Sequence, residues 1–208
     1  MLRDMARPAS RARPFDHPHW VFELKHDGFR VLLTRQGQRS SLLSRRGNDL
    51  ARQFPEIAAA IETLPECVID GELVMLDEHG RSLFEELRAR CRLRTPLAVS
   101  RSAAHRPAAV CAFDLLSLDG RDLRTLPLVE RKAQLFGMLA RGARIFYCQH
   151  VVGSGRQLFA AAERLGLEGI MAKLASAPYP RSASSDWVKI KTGLARAKAR
   201  GRSEWRDP

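Results

Sequence analysis

The sequence predicts an α+β fold of antiparallel sheets flanked by helices around a cleft. Three observations predict it. Strand-like alternation recurs along most of the chain, helical spacing interrupts it without a regular strand–helix rhythm, and several strands carry ionisable side chains two residues apart. No internal repeat is visible.

Each element follows from its local pattern. Within residues 19–44, WVFELK, FRVLLT and RSSLLS alternate as strands with turns at HDG and RQGQ, which reads as a β-meander. PEIAAAIETL places Ile57, Ile61 and Leu64 at helical spacing behind Pro55, a residue suited to a first turn. CVIDGELVML is a strand ending in the turn DEHG, and FEELRARC is a short helix. Residues 94–107, bearing proline and arginine, read as a connection. AAVCAFDLL is a buried strand, LDG a turn, and PLVERKAQLFGML a helix with Leu128, Arg131, Leu135 and Met138 on one side. RIFYCQHV reads as one further strand. SGRQLFAAAERLG is a helix with Ser154 as its candidate cap, and EGIMAK and WVKIK are strands separated by a Ser/Pro-rich loop. Residues 1–13 are expected to be disordered, 14–193 to form one domain, and 194–208 to be a basic, frayed tail.

Composition narrows the function. The 208 residues are 45% hydrophobic, enough for one core or a core split between two packed lobes. Lys and Arg number 35 against 23 Asp and Glu, a formal net charge of +12, so polyanions are the natural partners and nucleic acid leads them. Cys67, Cys91, Cys111 and Cys148 are scattered without a CxxC pair, which indicates reduced thiols rather than a zinc site or a disulfide framework. No apolar run approaches the roughly 18 residues of a membrane span, and MLRDMARPASRARPF has no secretory h-region, so a cytoplasmic protein with no membrane partner is expected. Neither phosphate-binding glycine motif, G-x-x-x-x-G-K-[ST] or G-x-G-x-x-G, occurs; VVGSGRQLF falls short of both and reads as a turn into a helix. GxSxG and HExxH are also missing, and the six histidines form no helical pair.

The charged strand faces are more informative. Glu23 and Lys25 share a face, as do Lys189 and Lys191 opposite Val188 and Ile190. Asp70 and Glu72 share another, opposite Ile69, Leu73 and Met75, with Gly71 leaving open space between those apolar side chains. A half-exposed sheet gives the same alternation with no function. Gathered into one cleft, however, these strands supply lysines for phosphate and carboxylates for a divalent cation. A nucleophilic lysine must first lose its proton, and Lys189, Lys191 and a metal are expected to lower the Lys25 pKa.

In order, KHDGFR, SRRG, DGE, AFDLL, EGIMAK and WVKIK make the chain resemble the covalent nucleotidyltransferase superfamily over about residues 14–193. It is most similar to the adenylation domain of ATP-dependent DNA ligases, in a minimal form: only 17 residues follow Lys191, too few for the OB-fold that usually comes next. The resemblance implies the fold shared by DNA ligases and mRNA capping enzymes, which is ATP-grasp-like. It implies ATP as cofactor, giving a lysyl-AMP adduct, with Mg²⁺ or Mn²⁺. It also implies nicked double-stranded DNA as substrate, a separate OB-fold or repair protein as partner, and work at the nucleoid.

Carried over residue by residue, Lys25 is the nucleophile, Asp27 assists later steps, and Lys189 and Lys191 hold the α-phosphate. Glu23 lies near the adenine amino group, Phe113 stacks on the base, Arg30 contacts ribose and nick, Arg45 a phosphate, and Lys173 lies near the nucleotide. Glu72 binds ribose or metal, with Asp70 supporting its strand, and Glu168 is a metal-site carboxylate. The chain departs from the family where RSASSDW replaces a loop that often carries glycine and arginine. RNA ligase or capping-type guanylyl transfer shares the lysine motif and is one alternative; a catalytically silent nick-binding module is another, which the intact motif lysine and carboxylates argue against.

Overall fold

The computed structural model describes residues 5–139, 144–180 and 182–201. In chain order its elements begin with β1 (Arg7–Ser10), β2 (His17–Lys25), β3 (Phe29–Gln36), β4 (Arg39–Ser44) and α1 (Pro55–Glu62). There follow β5 (Cys67–Val74), α2 (Phe84–Cys91), α3 (Pro96–His105), β6 (Ala109–Leu118), β7 (Arg121–Asp122) and α4 (Leu128–Leu139). The last are β8 (Ile145–Tyr147), β9 (His150–Gly153), α5 (Gly155–Arg164), β10 (Gly169–Leu174), β11 (Ala183–Lys191) and α6 (Gly193–Gly201). One sheet has the order β1-β11-β10-β2-β9; the other has β4-β3-β5-β6-β7, with β8 also paired to β6. All pairings are antiparallel except β1 with β11 and β6 with β8.

The predicted meander is split between these sheets. β3 and β4 form a hairpin whose turn residue Gly37 has φ 55°, but β2 pairs with β9 and β10 instead. The apolar side chains explain why. Phe22 on β2 packs in one core with Phe159, Ala162, Ile170, Ala172, Val188 and Ile190, whereas Phe29, Val31 and Leu33 of β3 pack in another with Ile57, Ile61, Ile69 and Leu135. The HDG segment is therefore a crossing between two cores, and Lys25 lies at its start. RIFYCQHV splits for the same reason: β8 buries Ile145 in the second core, while β9 joins β2.

Other local expectations are corrected. Residues 94–107 contain α3, started by Thr95, whose hydroxyl accepts from the Ala98 amide, and by Pro96 in the first turn. Its apolar signal is weak because only Val99 is buried while Leu97 is exposed. Ser154 makes no side-chain cap. Asp16 does that work from the loop before β2, its Oδ1 accepting from the Arg156 amide at 2.8 Å. The space beside Gly71 is filled, since a Cβ there would lie 2.6 Å from Val110 Cγ1.

The N-terminal segment expected to be disordered contains β1, which pairs along β11 and so protects that sheet edge; residues 1–4 lie outside the described residues. The expected frayed tail is helical through Gly201, with the Thr192 hydroxyl accepting from the Ala195 amide at its start, and residues 202–208 lie outside the described residues. Among the described residues no helix is long and apolar enough to cross a membrane.

Candidate active site

Strand register sets the first wall of the site. Residues directly opposite in a ladder point to the same face, so β2, β10 and β11 build three rows. Lys25, Gly169 and Lys191 form the first, Glu23, Met171 and Lys189 the second, and Val21, Lys173 and Trp187 the third. Gly169 has φ 149°, and a Cβ on it would lie 2.1 Å from the Ile190 carbonyl oxygen, so only glycine fits between the two lysines. Glu168 closes the gap: its Oε2 pairs with Lys25 at 2.7 Å and its Oε1 with Lys191 at 2.9 Å.

The second sheet supplies the opposite wall. Arg30 and Glu72 are ladder partners on β3 and β5, and Glu72 in turn faces Cys111 on β6. Phe113 is the extra residue of a β-bulge, since Asp70 pairs with Asp114 and Gly71 with Ala112. A bulge re-aims the side chain that it frees. The Phe113 ring receives the Lys173 ammonium at 4.3 Å and the Arg30 guanidinium at 5.5 Å. Arg30 is held by both Asp70 oxygens, at 2.9 and 2.5 Å, and donates to the Ala6 carbonyl. The Tyr179 hydroxyl completes this cluster, donating to Asp70 at 2.6 Å and accepting from the Ala6 amide at 3.1 Å. Arg45 follows β4 in a tight turn, its amide donating to the Arg30 carbonyl at 3.1 Å, and its side chain is exposed. The Asp27 amide donates to Ser82 Oγ at 3.1 Å.

A cavity of about 360 Å³ is lined by all eleven predicted residues: Glu23, Lys25, Asp27, Arg30, Arg45, Glu72, Phe113, Glu168, Lys173, Lys189 and Lys191. A neighbouring cleft of about 620 Å³ shares Lys25, Asp27, Phe84, Glu168 and Lys191 and extends toward Arg81 and Leu194. Glu23 is 1% exposed at the cavity's floor, with Oε1 paired to Lys132 at 2.5 Å and Oε2 to Lys173 at 2.7 Å.

Electrostatics correct one expectation. Burial pulls the Lys25 ammonium down, but Glu168, Glu72 and Asp27 outweigh it, so its pKa lies above the ordinary lysine value. Lys189 and Lys191 do not reverse this, because Glu168 takes up the Lys191 charge as well. Lys189 itself is lowered, by burial and by Lys191 and Lys25. Glu168 is held below the usual carboxylate range: burial raises it, and the two paired lysines overcome that. Glu72 is pushed up to about 7, first by burial, with Glu168 adding to it. Two such carboxylates match the way Mg²⁺ is held, by one or two protein oxygens with waters and substrate phosphates.

Residues 1–191 match the family model for the ATP dependent DNA ligase domain. The chain belongs to this family. Among relatives, this ligase domain is 30% identical over 178 residues to the SPbeta prophage-derived DNA ligase-like protein LigB of Bacillus subtilis, covering 85% of this chain and 63% of that protein. It is 35% identical over 180 residues to a probable DNA ligase of Streptomyces avermitilis, covering 81% and 34%. Among solved structures it superposes on the ligase domain from M. tuberculosis LigD with TM-score 0.73 and 27% identity, covering 92% of this chain and 62% of that one. A mycobacterial DNA ligase D complexed with ATP and MES gives 0.71 and 28%, covering 92% and 61%. The ligase domain thus spans less than two-thirds of the length of these relatives.

Several lining or supporting residues of the ligase domain escaped the sequence reading. Met171 occupies the middle row and lines the cavity with Phe113, and period-two counting from Lys173 along EGIMAK would have found it. Trp187 is 1% exposed in a buried cluster and also lines the cavity, with the Lys173 ammonium 4.1 Å from its ring. His26, read as a turn residue, lines both cavities. Tyr179 and Lys132 carry no motif and are brought in only by packing.

Proposed function

We propose that this domain performs nucleotidyl transfer with Lys25 as the nucleophile. Lys25 Nζ, once deprotonated, attacks the α-phosphorus of ATP; the N–P bond forms, the bond to the β-phosphate oxygen breaks, and pyrophosphate leaves. AMP then passes to a 5′-phosphate at a nick in duplex DNA, and the 3′-hydroxyl displaces it to seal the strand. The observation that carries this reading is the convergence of Lys25, Lys189, Lys191 and Glu168 on one cavity that Phe113 also lines.

Lys191 in the Lys25 row and Lys189 in the next supply positive charge where phosphate charge develops during attack. Phe113 and Met171, both lining the cavity, offer surfaces for a stacked base. Arg30 and Arg45 line the cavity to contact ribose and phosphate, and Asp27 lines it for the later steps. Glu72 and Glu168 would hold Mg²⁺ or Mn²⁺, which supplies charge neutralisation on phosphate oxygens when bound. The resting ion pair between Lys25 and Glu168 has to be given up before attack, because an ammonium is not a nucleophile. The reading includes an OB-fold, on the same polypeptide or another, or a repair protein, for the sealing steps, and action at the nucleoid. The net charge of +12 supports a nucleic-acid substrate.

Incubation with α-labelled ATP and Mg²⁺ is expected to label the wild type covalently and leave Lys25→Ala unlabelled. Label that persists on Lys25→Ala would sink the assignment.

A further inference from the structure

Lys132 lies outside every motif, yet it is 1% exposed and wholly engaged. From α4 its Nζ donates to Glu23 Oε1 at 2.5 Å and to the Cys148 carbonyl at 3.1 Å, with the Tyr147 ring 4.5 Å away. Glu23 and Cys148 line the smaller cavity, and Lys132 does not. The cation therefore stands behind two acceptors and ties both to one point.

Those acceptors retain capacity toward the cavity. A carboxylate offers about four lone-pair positions and a carbonyl two. Lys132 takes one position on Glu23 and one on Cys148, while Lys173 faces the other Glu23 oxygen as an ion pair at 2.7 Å. Glu23 also sits two residues back along β2 from Lys25, beside Met171 and on the same cavity as Phe113. A nucleotide with its phosphate at Lys25 and its base on Phe113 thus presents a base edge to Glu23 and Cys148.

We infer that Lys132 is a positioning residue for base selection, holding the Glu23 carboxylate and the Cys148 carbonyl where they accept from an exocyclic amino group and reject an exocyclic carbonyl. This rests on the nucleotidyl transfer reading and adds to it the device that chooses the base. A 6-aminopurine brings two N–H donors to that edge. A 6-oxopurine brings an acceptor, leaving buried acceptors facing one another without protons. Without Lys132 the carboxylate keeps only Lys173, on its other oxygen, and the Cys148 carbonyl loses its tether.

Equilibrium binding of ATP and of GTP to the full chain tests this, measured apart from covalent labelling. The wild type is expected to bind ATP about 10²-fold more tightly than GTP, or better. Lys132→Met is expected to narrow that ratio about tenfold, chiefly through weaker ATP binding, and Lys132→Arg to restore most of it. If the Met variant fails to fold, Lys132→Gln, which keeps a donor without the charge, is read by the same ratio. A wild type that binds both nucleotides equally or neither, or variants that lose both equally or leave the ratio unchanged, would overturn the inference. A wild type that discriminates without being labelled would instead defeat the transfer reading and leave this one standing.

Discussion

Glu72 shows how far a single side chain can be pushed by its surroundings. Its carboxyl is raised from 4.5 to about 7 by burial and by nearby carboxylates, against the pull of Lys25. In the folded state it keeps its proton at pH values where the unfolded chain has lost it, so folding is progressively disfavoured as pH rises from about 4.5 to about 7. In the absence of divalent cation, Glu72→Gln is expected to stabilise the protein by about 1–3 kcal/mol at pH 8 and not at pH 4. Thermal melts at the two pH values check this, and an equal gain at both would contradict it. The sequence reading identified Glu72 from its motif and strand face. Its displaced pKa was not legible, because it arises from burial and from Glu168, far from it in sequence, against the opposing pull of Lys25 and Arg30. The same holds for Lys25: its motif marks it as reactive, but the carboxylates that keep it protonated come from three other positions.

At the scale of elements, helix and strand periods were legible and the partners that finish each element were not. α5 has a strong apolar stripe, burying Phe159 and Ala162, so its existence was readable. Its cap was misassigned to Ser154 because sequence proximity is the only guide to a local cap, whereas Asp16 reaches the Arg156 amide from 140 residues away. Asp16→Ala is therefore expected to cost about 1 kcal/mol and Ser154→Ala less than about 0.5 kcal/mol. Urea melts of the two variants decide it, and a larger loss for Ser154→Ala would reverse the assignment. Bulges are hidden for a similar reason. Period-two alternation predicts β6 as a strand, but the slip that frees Phe113 appears only when β6 is laid against β5. α3 was missed outright, since a helix that buries only Val99 has too little apolar stripe to announce itself.

For the whole molecule, the decisive feature is that two sheets with separate cores face one another across the cavity. A third apolar cluster of Ala6, Leu32, Val68, Leu116, Tyr179 and Trp187 joins the two sheets, and beside it the cavity concentrates lysine and arginine at one place. Nicked duplex DNA is expected to bind with strong salt dependence. An interface of six or more phosphates would lose about 10³-fold or more in affinity between 50 and 200 mM salt. Fluorescence anisotropy across that range checks this, and a flat response would argue against a phosphate-dominated interface. The residue before β1 also acts at this scale, because the Ala6 amide and carbonyl join Tyr179 and Arg30 across the molecule.

The sequence by itself determined the α+β class, most element positions and the eleven residues around the cavity. Those depend on local period and on motif identity, which short stretches carry. Only the tertiary structure decided that β2 and β3 belong to different sheets, that Lys25 rests as an ammonium against Glu168, and that Lys132 stands behind Glu23. The physical reason is that strand pairing, desolvation and ion pairing are set by groups distant in sequence, and no local pattern encodes which of them meet.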